Sequence, residues 1–122
     1  MKIHEMTLWN SPFQSIASGE KTIELRLYDE KRKQITVGDR IHFQNADNPA
    51  EEMMVEVVSL HLFDSFASLY AHLPLEKCGY TKEELPDASP SDMDAYYPKE
   101  KQAMFGVIGI EVKRIDTPFR QQ

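Results

Sequence analysis

Gly19-Glu20-Lys21-Thr22-Ile23-Glu24-Leu25-Arg26 is the stretch whose reading decides how this chain folds. Ile23, Leu25 and Leu27 alternate with Thr22, Glu24, Arg26 and Tyr28, the period of two expected of a half-buried β-strand. One face of that strand can enter a core while the other presents Glu24 and Arg26 side by side. Lys21 stands just past Gly19, where a twist brings its long stem round to the same polar face. Three charges on one face of a sheet are either a salt-linked support or the floor of a site.

The chain before this stretch opens with a strand over Ile3 to Trp9. A helix follows, with Ser11 expected as N-cap, Pro12 in the first turn, Gln14 completing a capping box and Gly19 as the left-handed stop. Beyond the stretch, Asp29 to Gln34 reads as a charged loop and Val37-Gly38-Asp39 as a turn. Arg40 to Gln44 alternates again, with Ile41 and Phe43 inward, and Asn45 to Glu52 is a polar hairpin loop. Met53 to Leu62 is apolar on both faces, as in a central strand or one coiled through a barrel.

A second helix is predicted after Asp64, which is expected to cap it, with Phe66, Leu69, Tyr70 and Leu73 on one stripe before Pro74. Leu75 to Ser91 is irregular apart from a capping-box pattern at Thr81-Lys-Glu-Glu84. Ser91 to Tyr97 can form a helical turn or two with Met93, Tyr96 and Tyr97 on one side, whereas Lys99 to Phe105 is ambiguous. Gly106 to Ile115 is the last strand, and Asp116 to Gln122 reads as a frayed tail. About five strands with helices inserted at two places define an α+β arrangement, and 122 residues suffice for one domain over 1–122. Pattern alone leaves a closed barrel and an open sheet as alternatives.

Gly19, Lys21, Glu24 and Arg26 fit a G-x-K-x-x-E-x-R signature, followed in order by Val37-Gly38-Asp39-Arg40-Ile41-His42-Phe43 and Phe105-Gly106-Val107-Ile108-Gly109-Ile110. In these three blocks the chain resembles the ASCH domain family over nearly its whole length. That resemblance implies a small PUA-like β-barrel of five or six strands with two to four short helices, and binding of RNA. Some small members are amidohydrolases acting on N4-acetylcytidine, in which the motif lysine activates a threonine three residues later and a further glutamate assists. Lys21 matches the lysine, but Glu24 stands where that threonine would be. Thr22 shares the strand face of Glu24 one pleat repeat earlier, and Glu76 is the expected assisting carboxylate.

Composition narrows the choice. Hydrophobic residues are 41% and charged residues 28%, ordinary for a globular chain, and no apolar run approaches a membrane span. Met1-Lys2-Ile3-His4-Glu5 lacks a signal-peptide core and Cys78 is the one cysteine, so a cytoplasmic location is expected. A net charge of −6 argues against sequence-blind nucleic-acid binding, and no DNA specificity is expected. Residues 1–45 carry seven Lys/Arg against six Asp/Glu, and residues 46–122 seven against fourteen. A pocket reading one nucleoside therefore suits the chain better than a long basic groove.

Within such a pocket Lys21 and Arg26 would bind a carbonyl or anionic oxygen while Glu24 accepts from a base amine. Tyr96, Tyr97 and Trp9 are candidates to stack on an unpaired base, with Lys99 and Lys101 near phosphate. Lys31-Arg32-Lys33 could guide RNA to the mouth or form a self-neutralised loop with Asp29 and Glu30. His4, His42, His61 and His72 have no metal-ligand spacing, no G-x-S-x-G or phosphate loop is present, and no cofactor is expected. Three functions stay open at this point: an RNA or modified-nucleoside binder, an amidohydrolase, and a regulatory protein-interaction module using the acidic second part.

Overall fold

The computed structural model describes residues 1–115, so the Asp116–Gln122 tail lies outside the described residues. Among those residues the elements are β1 (Ile3–Leu8), α1 (Asn10–Ser18), β2 (Ile23–Leu27), β3 (Arg40–Asn45), β4 (Glu52–Phe63), α2 (Phe66–His72), α3 (Lys99–Phe105) and β5 (Val107–Arg114). The strands form one sheet in the order β1-β3-β4-β5-β2. β1 runs parallel to β3, and every other pairing is antiparallel. The result is an α+β fold in which a five-stranded sheet curls into a half-barrel.

The long strand β4 does the curling. Residues 52–56 pair with β3 and residues 55–63 with β5, and a bulge between Val57 and Ser59 adds local twist. Met53, Val55 and Val57 fill the concave side with Met6, Ile41, Phe43, Ile108 and Ile110, all at most 4% exposed. The sheet ends at β1 on one side and β2 on the other. Across that seam side chains substitute for a strand ladder: Arg26 donates from Nη2 to the Thr7 carbonyl at 2.9 Å, and Lys31 Nζ to the Glu5 carbonyl at 2.7 Å. Unpaired edge carbonyls of β1 are thereby satisfied without adding a strand.

A second apolar layer covers the convex side. Ile23, Leu25 and Leu27 of β2 join Val107, Phe66, Leu69, Cys78 and Met93 there. Gly109, opposite Leu25 in the β2–β5 ladder, makes room for this layer, because a Cβ would sit 2.9 Å from Leu73 Cδ1. The β2 strand is thus buried on both faces. Its alternation held, but Glu24 and Arg26 sit opposite Ile110 and Ile108 in the ladder and so share the face of the principal core. The expectation of a half-buried strand is thereby corrected: α2 and the segment that follows it cover the Leu25 face, while Glu24 and Arg26 lie on the side of the principal core.

Several local expectations also shift. α1 begins at Asn10 with Trp9 as N-cap and no side-chain cap, so Ser11 is not the capping residue. Asp47, from the hairpin loop, takes the Asn10 amide at 2.8 Å instead, and Gln14 turns to Asn10 and Glu51. Gly19 ends the helix at φ 88° as expected. For α2 the cap is Ser65 rather than Asp64, its hydroxyl accepting from the Ser68 amide at 3.1 Å. Lys99–Phe105, ambiguous by pattern, is helical, and Thr81 and Glu84 exchange the reciprocal capping bonds. No helix among the described residues is long and apolar enough to cross a membrane.

Buried Asp39 closes the turn before β3 by accepting from the Lys2 amide, the Thr36 amide and hydroxyl, and His4. The His4 bond first, then the backbone donors, hold its carboxyl far below the ordinary carboxylate value. A lowered folded-state pKa contributes stability above the unfolded value and loses it as pH falls toward the folded one. Urea midpoints of the wild-type chain should therefore drop between about pH 5 and pH 2, and Asp39→Asn should flatten that acid limb. Parallel limbs in the two proteins would remove Asp39 as the cause.

Candidate functional site

The half-turn from α1 into β2 positions the charges. With the helix stopped at Gly19, the Lys21 amide bonds the Ser15 carbonyl at 3.0 Å, and the Thr22 and Ile23 amides both bond the Lys77 carbonyl. This fastens the turn after α2 over the start of β2. Lys21 Nζ then lies 2.9 Å from Glu24 Oε1, and Arg26 Nε lies 2.6 Å from Glu24 Oε2. The lysine stem runs alongside Gly79, whose φ of 118° favours glycine and where a Cβ would be in ordinary contact, 3.4 Å from Lys21 Cδ and 3.8 Å from Nζ.

Burial by itself pushes the Glu24 carboxyl up, but the charges and hydrogen bonds of Lys21 and Arg26 outweigh it and hold the pKa below the usual value. Burial likewise pulls the Arg26 guanidinium down, and Glu24 reverses it. Glu24 is 5% exposed with each oxygen held by a cation, which makes it a poor free base or nucleophile. Cys78, beside this cluster, has its thiol pushed up to about 11 by burial, so it stays protonated at neutral pH. Arg32 is pulled down by burial and then by Arg26, and its Nε has no hydrogen-bond partner among the described residues.

The triad is not sealed. It borders a cavity of about 940 Å³ between α1 with the end of β1 on one side and the segment 70–97 on the other. Trp9, Lys21, Glu24, Arg26 and Tyr97 all line it. Trp9 is 62% exposed at the rim, where Tyr96 is 65% exposed. Tyr97 is half-buried, stacked on Phe66 at 6.1 Å with its hydroxyl 3.4 Å from the Leu25 carbonyl, and so belongs as much to the convex core as to the cavity. Glu76 is exposed in the turn after α2 and does not line the cavity, nor does Lys101, whose ammonium lies 5.8 Å from the Phe105 ring.

Lys31 is engaged across the seam with the Glu5 carbonyl, and Arg32 and Lys33 locally with Asp29 and Glu30. Sequence reasoning missed Tyr70, Tyr80 and Asp92 as cavity-lining residues. Tyr70 reads as one more member of an amphipathic stripe, Tyr80 falls in a segment without periodicity, and Asp92 lies in the expected helical turn but off the face of Met93, Tyr96 and Tyr97. The only hint was the excess of acidic residues after position 45. Among the described residues, no group of three His, Cys, Asp or Glu side chains could hold a metal ion.

A curled half-barrel with a charged, aromatic-walled cleft at its seam defines a PUA-like domain of the ASCH type. A family model described as ASCH domain matches residues 6–116, and the chain belongs to that family. It is similar to the crystal structure of the hypothetical protein PH0355, with a TM-score of 0.76 and 32% identity over 94% of this chain and 100% of that one. The solution structure of PF0455 from Pyrococcus furiosus gives 0.69 and 30% identity over 96% and 100%. A variant of ZmASCH from Zymomonas mobilis shares the fold alone, at 0.64 and 12% identity over 91% and 67%. No curated protein matches the chain.

Replacing Glu24 with Gln leaves two buried cations without their counter-charge. Loss of one member of a buried ion pair costs about 3–5 kcal/mol, so Glu24→Gln should lower urea stability by that amount. A loss under ~1 kcal/mol would place the carboxylate in solvent, contrary to its burial.

Proposed function

We propose that this protein binds RNA or a modified nucleoside in the seam cleft, with Lys21 and Arg26 as the donors that meet a base carbonyl or phosphate oxygen. The observation carrying this reading is that a buried Lys21–Glu24–Arg26 triad forms one wall of a cavity whose rim holds two exposed aromatic rings. A cavity of about 940 Å³ is at the upper end of the roughly 300–1,000 Å³ of small-molecule sites. Glu24 serves as the strut that fixes both cations, a preorganisation that lowers the entropy cost of binding. Trp9 and Tyr96 supply stacking surface at the mouth, the arrangement that unpaired bases favour.

The acidic net charge supports a single-nucleotide pocket over a long groove, and excludes neither RNA nor a free nucleoside as partner. We place this activity in the cytoplasm, on one domain, without a metal or cofactor and without DNA specificity. Amide hydrolysis of an acylated cytidine is the less favoured chemistry. Its nucleophile position is occupied by a carboxylate held between two cations, and Glu76 stands outside the cleft.

Thermal unfolding with cytidine, N4-acetylcytidine and short single-stranded RNA separates these functions. At a ligand concentration of 100 Kd, binding should add about 2.7 kcal/mol of stability. Arg26→Ala should weaken that stabilisation by about tenfold or more in Kd, since a charged hydrogen bond contributes ~1.5–3 kcal/mol. No acetate should be released from N4-acetylcytidine; release abolished in Lys21→Ala would establish the hydrolase instead. Absence of any stabilisation would leave the protein-interaction module as the surviving function.

A further inference from the structure

The wall facing Lys21 and Arg26 contains a chain of hydroxyl and carboxylate groups that the binding role above does not use. Tyr80 donates its phenol to Asp92 Oδ2 at 2.7 Å, and the Tyr70 and Tyr80 hydroxyl oxygens lie 2.7 Å apart. Asp92 also accepts from the Ser89 amide on the same oxygen, at 3.2 Å. Bonds from Tyr80 and Ser89 keep its carboxyl below the usual value, so it is an acceptor at neutral pH.

Proton counting fixes the direction of the chain. A phenol has one proton, and that of Tyr80 is committed to a carboxylate that has none to return. The proton between the two tyrosines therefore comes from Tyr70, and both phenol donors are spent within the wall. What Tyr70 and Tyr80 have left for a ligand is oxygen lone pairs, and among the described residues the Tyr80 and Ser89 bonds both fall on Asp92 Oδ2 and leave Oδ1 open. Glu84, also lining the cavity, adds further acceptor capacity. The Lys21–Arg26 wall is the reverse, an ammonium and a guanidinium with donors only around a Glu24 carboxylate whose two oxygens they already hold. The two walls adjoin, because Tyr80 follows Gly79, against which the Lys21 stem lies.

We propose that Tyr70, Tyr80 and Asp92 act as an acceptor wall that makes the cleft select bases with a carbonyl at one end of the pairing edge and an amino group at the other. Cytosine and guanine have that arrangement; uracil carries carbonyls at both ends, and adenine has no carbonyl. Uracil would turn an acceptor toward acceptors with no donor free to meet it, a mismatch that costs more than a merely missing contact. This selection rests on the nucleobase reading of the cleft given above.

Titration calorimetry of the full chain with cytidine, guanosine, uridine, adenosine and N4,N4-dimethylcytidine tests it. Cytidine or guanosine should bind at least about tenfold more tightly than uridine and adenosine, and dimethylation of the amino group should remove the advantage of cytidine. Tyr80→Phe frees the Tyr70 proton for the ligand, so the cytidine-to-uridine ratio should fall toward one while the fold is kept. Asp92→Asn, which retains a side-chain oxygen for the Ser89 amide, should move the ratio the same way. Equal affinity for cytidine and uridine in the wild type, or a ratio unchanged in both folded variants, overturns the acceptor wall. Should nucleosides bind in an Arg26-dependent manner without base preference, only the wall fails. If none binds, the nucleobase reading fails and takes the wall with it.

Discussion

A carboxylate held between two cations on a strand buried from both sides is the constraint on which the rest of the structure depends. Glu24 cannot be desolvated alone, since an isolated ion in a low-dielectric interior is prohibitively costly. Lys21 and Arg26 compensate it at 2.9 and 2.6 Å, one on each carboxylate oxygen. Arg26 then has its Nη2 directed at the Thr7 carbonyl, which ties β2 to β1 across the gap in the sheet. One ion cluster thus neutralises itself, closes the seam and sets the geometry of the cavity wall. Such a buried network is weak evidence for stability in itself, because an apolar substitute of equal volume would serve the core as well. Its position beside a cavity is what argues for use.

The concave core and the convex core need each other through β2. Leu25 and Leu27 would be exposed on a simple half-barrel, and it is α2 with the turns at 74–97 that covers them. The same segment supplies Tyr70, Tyr80, Asp92 and Tyr97 to the cavity. Burial of the convex face and construction of the far wall are therefore one structural event. Backbone bonds from Thr22 and Ile23 to Lys77 clamp it in place.

Much of this was legible in the sequence, and the parts that were not share a cause. Period-two alternation located β2 and β3, and a run apolar on both faces located the long central strand, because those segments obey local rules. Gly19 marked the end of α1, since a left-handed residue is needed there. The order of three motif blocks then pointed to a small barrel and to Lys21, Glu24 and Arg26, and aromatic character pointed to Trp9 and Tyr97; all five border the cavity. What local rules cannot convey is which distant segment covers a face. An alternating strand looks the same whether its polar side meets water or lies toward a core, so the burial of Glu24 was invisible. Capping failed for the same reason: Asp47, 37 positions from Asn10, replaced the cap that Ser11 seemed placed to give. Tyr80 lies in an aperiodic stretch and Asp92 in the short helical turn beyond it, and no local rule brings the two together.

The seam itself explains why a cleft exists at all. Had β1 and β2 zipped together, the Thr7 and Glu5 carbonyls would have been satisfied by backbone amides, and the barrel would have closed over its own packed side chains. Long cationic side chains reach those carbonyls instead, at 2.9 and 2.7 Å, and hold the two edges apart by the length of a side chain rather than that of one hydrogen bond. A guanidinium suits this role better than an ammonium, because its planar fork serves the carboxylate and the carbonyl at once and still has N–H groups to spare. Edge protection and ligand recognition are then consequences of the same arginine. Substituting Lys at position 26 would keep the charge but could not keep both bonds, so the seam and the cleft wall would be lost together.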